Sequence, residues 1–165
     1  MNKNLKLGLA AGFVAAFGTF TGAMADSTTP VDNVEGWDIY KGDGDLVCVM
    51  ERVMDNGYLV RMGKEKDGTD FGYIAVYTKD KDAKIYGNVT RDVVFDIDGT
   101  RFTGRSVGEF RNDWRGAVLR SNDSLLGEKL AKRYVMTLSP DSDGPVEISL
   151  DGTFKAMAAT RECNY

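Results

Sequence analysis

The chain contains no histidine, and that absence removes several chemistries together. No Ser-His or Cys-His nucleophile pair can form, no imidazole can act as general base, and no His-bearing zinc site can assemble. Cysteine is nearly as scarce. Cys48 and Cys163 are the whole complement, and no C-x-x-C pair is present to suggest a redox centre. Long apolar runs are missing too: beyond residues 7–20, nothing approaches the ~20 residues a bilayer-spanning helix needs.

The one apolar run has a telling context. Lys3 and Lys6 precede it without any acid, glycines interrupt its 14 residues, and Thr21-Gly22-Ala23-Met24-Ala25 follows. A charged start, a short apolar stretch and an A-x-A ending is the order a signal peptidase accepts. Residues 1–25 are therefore expected to be a signal peptide, leaving Asp26 first and no transmembrane segment. Removing 25 of 165 residues leaves 140, enough for one domain and too few for two ordinary ones. The two lysines lost leave 19 basic against 25 acidic residues, a net charge near −6. That balance argues against nucleic acid, and against anionic lipid headgroups as main partners.

In an exported chain an even cysteine count points to a Cys48–Cys163 disulfide, with two buried free thiols as the alternative. The bridge would close most of the mature chain and contribute ~4–5 kcal/mol on entropy models. It is expected to staple the last strand to an early one.

Residues 26–35 are polar, contain Pro30, and read as a flexible N-terminal lead to a single β domain over 36–165. Short runs rich in β-branched and aromatic residues then alternate with Gly/Asp/Asn clusters. Strands are predicted near 37–40, 46–54, 58–62, 71–78, 92–97, 101–110, 117–120, 134–138, 146–150 and 154–161. The punctuating turns include Gly42-Asp43-Gly44, Asn56-Gly57, Asp67-Gly68, Asp98-Gly99 and Asp151-Gly152. The fold class is mainly β: an antiparallel sandwich or barrel of about eight to ten short strands. One helix is predicted over 124–134. Asp123 stands at its cap, Lys129, Lys132 and Arg133 fall near its end, and Leu126, Leu130 and Tyr134 share one face.

One stretch looks like chemistry. Val93-Val94-Phe95-Asp96-Ile97-Asp98-Gly99-Thr100 resembles the first motif of the haloacid-dehalogenase-like phosphohydrolases. That resemblance implies a magnesium-dependent nucleophile at Asp96 and a general acid at Asp98. Three features oppose it. Only 65 residues follow Thr100, without the crossover helices a parallel sheet requires. Asp-Gly-Thr recurs at 67–69, 98–100 and 151–153, and Asp-Gly is a strong hairpin signal. Finally, a turn at Asp98-Gly99 sets Phe95 opposite Phe102, Asp96 opposite Arg101 and Asp92 opposite Arg105. Each such opposite-charge pair would add ~0.2–1 kcal/mol.

No cofactor and no metal site is expected. The acidic stretches Asp80-Lys81-Asp82 and Asp141-Ser142-Asp143-Gly144 lack the spacing of a calcium loop. Trp37, Tyr73, Arg111, Trp114 and Arg115 are the candidate ligand or partner surface, because aromatic and arginine side chains carry binding energy at interfaces. The competing account puts Trp114 in the core and pairs the arginines with local acids. The terminal Tyr165 superficially suits an outer-membrane barrel, but counting back by twos puts Arg161 on the lipid side.

Trp37, Cys48, the ending Leu150-Asp151-Gly152-Thr153 with Ala156, and Cys163 resemble small periplasmic proteins of alphaproteobacteria. These are in turn distantly similar to the invasion-associated locus B proteins. The resemblance spans most of the mature chain, lacks a second internal cysteine pair, and carries over no catalytic residues. The expected function is an exported, periplasmic or secreted, non-enzymatic β domain with a binding or envelope-associated role. Its partner would be an unknown protein or envelope component. Alternatives are an inhibitor of an exported enzyme and the magnesium-dependent phosphohydrolase.

Overall fold

The computed structural model describes residues 29–42, 46–66, 71–121 and 123–163. Residues 1–25, expected to be a signal peptide, most of Gly42-Asp43-Gly44, Asp67-Gly68 and Tyr165 lie outside those residues. Ten strands follow the chain: β1 (Thr29–Val34), β2 (Trp37–Lys41), β3 (Leu46–Val53), β4 (Leu59–Glu65), β5 (Tyr73–Thr78), β6 (Thr90–Ile97), β7 (Thr100–Arg111), β8 (Trp114–Arg120), β9 (Val135–Leu138) and β10 (Val146–Ser149). Helix α1 (Ser124–Lys132) precedes β9, and helix α2 (Thr153–Glu162) ends the described chain. All strands pair antiparallel in one sheet of order β1-β2-β3-β4-β5-β8-β7-β6-β9-β10.

The sheet curls around its main core. Ile39, Met50, Met62, Ile74 and Leu119 lie opposite one another along one inner row of β2, β3, β4, β5 and β8. The same core takes Phe95 and Ile97 from β6, Met136 from β9 and Ile148 from β10. Residues from both ends of the strand order therefore pack together. Direct bonds join those ends: the Asn56 side chain donates to the Glu147 carbonyl at 2.7 Å. The Trp37 indole and Arg52 guanidinium both donate to the Asp151 carbonyl, at 3.0 and 3.2 Å.

The β6–β7 hairpin has the expected register at every position. Ile97 faces Thr100, Phe95 faces Phe102, Val93 faces Gly104, and Asp96, Val94 and Asp92 face Arg101, Thr103 and Arg105. Asp98 and Gly99 both take positive φ, 45° and 83°, the two-residue turn whose twist suits antiparallel strands. The Phe95 and Phe102 rings stack with centroids 5.3 Å apart. One expected pairing is redirected. Asp96 accepts from the Gly99 amide at 2.6 Å, while Arg101 reaches Asp141 at 2.9 Å. Asp92 and Arg105 do meet, at 3.8 Å on an exposed face.

Helix α1 begins as expected, with the Asp123 carboxylate accepting from the Leu125 amide at 2.8 Å. Leu126 and Leu130 are fully buried. Tyr134 is not on their face: it follows the helix and is exposed, its amide donating to Asp98 at 3.0 Å just before β9 begins.

Three expectations need correction. Thr29–Val34, read as part of a flexible lead, pairs with β2 as an edge strand. The segment 154–161, read as a strand, is helix α2. Its buried positions are Thr153, Ala156, Met157 and Thr160, a helical rather than alternating period. Alanine at 156, 158 and 159 favours that outcome, and the Thr153 hydroxyl sits 2.7 Å from the carbonyls of Leu130 and Leu150. The Cys48–Cys163 disulfide is present, but it ties β3 to the end of α2, not strand to strand. Gly152 permits this docking. Its φ is +80°, and a Cβ there would sit 2.5 Å from the Glu35 Cβ.

Two outcomes follow. Replacing Cys48 and Cys163 together by serine opens a loop of 115 residues and should cost about 4–5 kcal/mol in urea unfolding. Asp98 accepts from two amides, Tyr134 and Val135 at 3.0 and 3.2 Å. Asp98→Ala should therefore cost about 1–3 kcal/mol in the same measurement, with Asp98→Asn retaining most of the loss.

Candidate functional site

The helices cover one end of the curled sheet. Leu126 and Leu130 of α1 and Ala156 and Met157 of α2 complete the core there. The other end holds a cavity of about 270 Å³, and none of its lining residues comes from either helix. Its wall is the inner row continued: Ile74, Val76 and Thr78 of β5, Ala117 and Leu119 of β8, Val93 and Phe95 of β6, and Leu138 and Val146 from the last strands. Ala83 and Ile85 reach it from the 79–89 connection, with Tyr58 at its other side. The polar groups in this lining are the hydroxyls of Tyr58, Thr78, Ser106 and Ser139. Mouths of β-barrels are common ligand sites, and such sites are mostly apolar with few polar groups.

The 79–89 connection is laid onto β7 by backbone bonds. The Asn88 amide donates to Gly108 at 2.8 Å, and the Gly108 amide donates to Val89 at 3.0 Å. Gly108 is needed for this, since a Cβ there would stand 2.1 Å from the Tyr86 carbonyl oxygen. The Arg115 guanidinium donates to the Lys81 carbonyl at 2.6 Å and holds the loop from β8.

A second cluster occupies the outer face of the central strands. Leu59, Tyr73, Ala75, Tyr77, Trp114 and Val118 are buried together there. Register places Glu51 opposite Arg61 and Arg61 opposite Ala75 on the same face. Both charged side chains are buried, with Arg61 Nε 3.9 Å from Glu51 Oε2. That is an ion pair too long for a hydrogen bond, and among the described residues Arg61 Nε has no hydrogen-bond partner. Burial pushes the Glu51 carboxyl up despite the nearby Arg61 and Arg111. Burial and the adjacent Tyr73 hydroxyl likewise push the Tyr77 phenol up. Charged arms lie over the aromatic rings: Lys79 is 4.8 Å from the Trp114 centroid and Arg120 is 5.8 Å from that of Tyr73.

The five expected surface residues divide between these regions. Tyr73 and Trp114 share the outer cluster, and Arg111 adds its charge to that neighbourhood while lying 3.6 Å from Glu109. Trp37 is fully buried in the inner core as a tie to Asp151. Arg115 sits at the cavity end, its guanidinium 5.8 Å from the Phe110 centroid. The cavity was not anticipated: in β5 both Ile74/Val76 and Tyr73/Ala75/Tyr77 are apolar, so alternation alone does not mark the inward face. Asp96 and Asp98, the phosphohydrolase candidates, direct their carboxylates at backbone amides: Asp96 at Gly99 in the turn, Asp98 at Tyr134 and Val135 where β9 begins. Among the described residues no group of three acidic or cysteine side chains could hold a metal ion, and no helix is long and apolar enough to cross a membrane. No family model, no curated protein and no solved structure matches the chain.

The Glu51–Arg61 pair has a pH signature. A carboxyl raised by burial keeps a proton in the folded state that the unfolded state releases, so stability falls as pH climbs from the ordinary carboxylate range through the raised value. Arg61→Met removes the charge that opposes the shift. It should cost about 3–5 kcal/mol near pH 8, with part of the loss recovered at about pH 4.5, as read by urea unfolding at both pH values.

Proposed function

We propose that this protein is an exported, non-enzymatic binding domain whose ligand is a small apolar molecule held in the end of the curled sheet. The observation that carries the reading is the apolar cavity of about 270 Å³ between β5, β6, β8, the last strands and the 79–89 connection. An apolar cavity of roughly 150 Å³ is sufficient for one benzene ring. The space here suits a fused aromatic pair or a short acyl chain. Its hydroxyls can orient a single polar end but cannot solvate a charge.

Export is supported by the leader-like residues 1–25 and by the Cys48–Cys163 bridge, a bond favoured outside the reducing cytoplasm. A non-enzymatic role is supported by the absence of histidine and by the use of Asp96 and Asp98 in turn and strand hydrogen bonds. The resemblance to exported alphaproteobacterial proteins accords with this placement.

The test is fluorescence titration with 1-aminoanthracene, whose emission rises in apolar surroundings. The protein should bind it saturably. Ala117→Phe, which places a ring into the cavity, should weaken binding by about tenfold or more, equivalent to ~1.4 kcal/mol, without lowering thermal stability. Unchanged probe binding in that variant would remove the cavity reading. Hydrolysis of a generic phosphate ester by the protein, lost in Asp96→Asn, would remove the non-enzymatic part.

A further inference from the structure

The rim of the cavity end carries an exposed aromatic patch. Tyr86 is 54%, Phe110 55% and Val89 43% exposed, unusually open for such side chains. They come from one place. The Phe110 ring lies against Gly87, where a Cβ would be 3.2 Å away, and Val89 is bonded to Gly108 two residues before Phe110. Each ring carries a cation on it: Arg91 is 5.2 Å from the Tyr86 centroid and Arg115 is 5.8 Å from that of Phe110.

The charge of this region opposes that of the whole molecule. Residues 79–91 hold four bases against two acids, whereas the chain holds 21 against 25. An acidic average argues against an anionic partner for the surface at large, but attraction at a surface is decided within a Debye length of the contact. Aromatic rings beside arginines suit the boundary between headgroups and acyl chains, where the ring enters and the guanidinium meets phosphate. We propose that Tyr86, Val89 and Phe110, with Arg91 and Arg115, dock this end of the protein onto an anionic lipid surface.

The docking rests on the rim itself. Its purpose rests on the reading above, because Ala83 and Ile85 of the same connection line the cavity and would place its mouth toward the bilayer. An apolar ligand could then pass between membrane and protein without crossing water.

The experiment uses the processed chain recovered from its producing cells, its N-terminus verified by mass spectrometry. Co-sedimentation is measured with vesicles of phosphatidylglycerol and phosphatidylcholine in equal parts, and with phosphatidylcholine alone. The protein should bind the anionic vesicles more strongly, and added salt should weaken that binding. Arg91→Gln should weaken it by about fivefold, and Tyr86→Ser with Phe110→Ser should abolish it while 1-aminoanthracene binding persists. Ala117→Phe should lose the probe and keep the vesicles, so the two readings fail separately. Absence of vesicle binding, or equal binding by the rim variants, overturns the proposal; either result would assign the patch to something other than lipid.

Discussion

The Asp151 carbonyl is the point on which the architecture turns. It lies after the last strand, yet it accepts from Trp37 at the start of β2 and from Arg52 in β3. A ten-stranded antiparallel sheet has no intrinsic reason to bring its ends together, and among the described residues no strand pairing closes it. The Trp37 indole does so instead, as a large apolar body whose single donor must be satisfied once buried. Around that bond the Glu35-Gly36 turn meets Gly152, Lys155 pairs with Glu35, and α2 lies over the first strands. The disulfide then fixes the far end of α2 to β3. Loss of the tie would expose the inner row along several strands at once.

Closing one end in this way leaves the other without a helix. The inner side chains there are held apart by the curvature of the sheet, and the 79–89 connection covers them only in part. A volume remains because the nearby inward residues are of modest size, such as Ala117, Val76, Val93 and Ala83. Replacing any one with a ring would fill space that the fold does not otherwise use. The cavity is thus a consequence of where the helices sit, together with a few small side chains.

Much of this was legible in the residues. The Asp98-Gly99 hairpin could be read to the residue because both positions tolerate positive φ, and because one register alone pairs the apolar face and the opposite charges. The disulfide partners followed from there being two cysteines. What escaped has physical reasons. Over 154–161 the apolar residues satisfy both a period of two and a helical period, and packing against β2 and β3 decides between them. Glu35 does not advertise a left-handed turn, and it is held in one beside Lys155 and Gly152. Glu51 and Arg61 are charged residues that the sequence does not mark as buried; they lie among the outer cluster of the central strands. A cavity leaves no mark on any single residue. Tyr73, Arg111 and Trp114 were singled out by residue type, but only the β5–β8 and β7–β8 pairings bring them into one neighbourhood.

The two ends of the molecule therefore answer to different forces. At the helix end, a covalent bridge, a buried indole and the largest aliphatic side chains enforce one arrangement. At the open end, the 79–89 connection is held by a few backbone bonds, by Arg115 on Lys81, and by an exposed Lys79–Asp113 pair at 3.0 Å. Exposed pairs of that kind contribute little, and segments fastened by few buried contacts open at a small fraction of the global unfolding free energy. The segment that borders the cavity is thus fastened more lightly than the helix end, which carries the disulfide. The residues that fasten this segment are distinct from those of the tie at Asp151, so the two ends of the fold are secured by separate groups of residues.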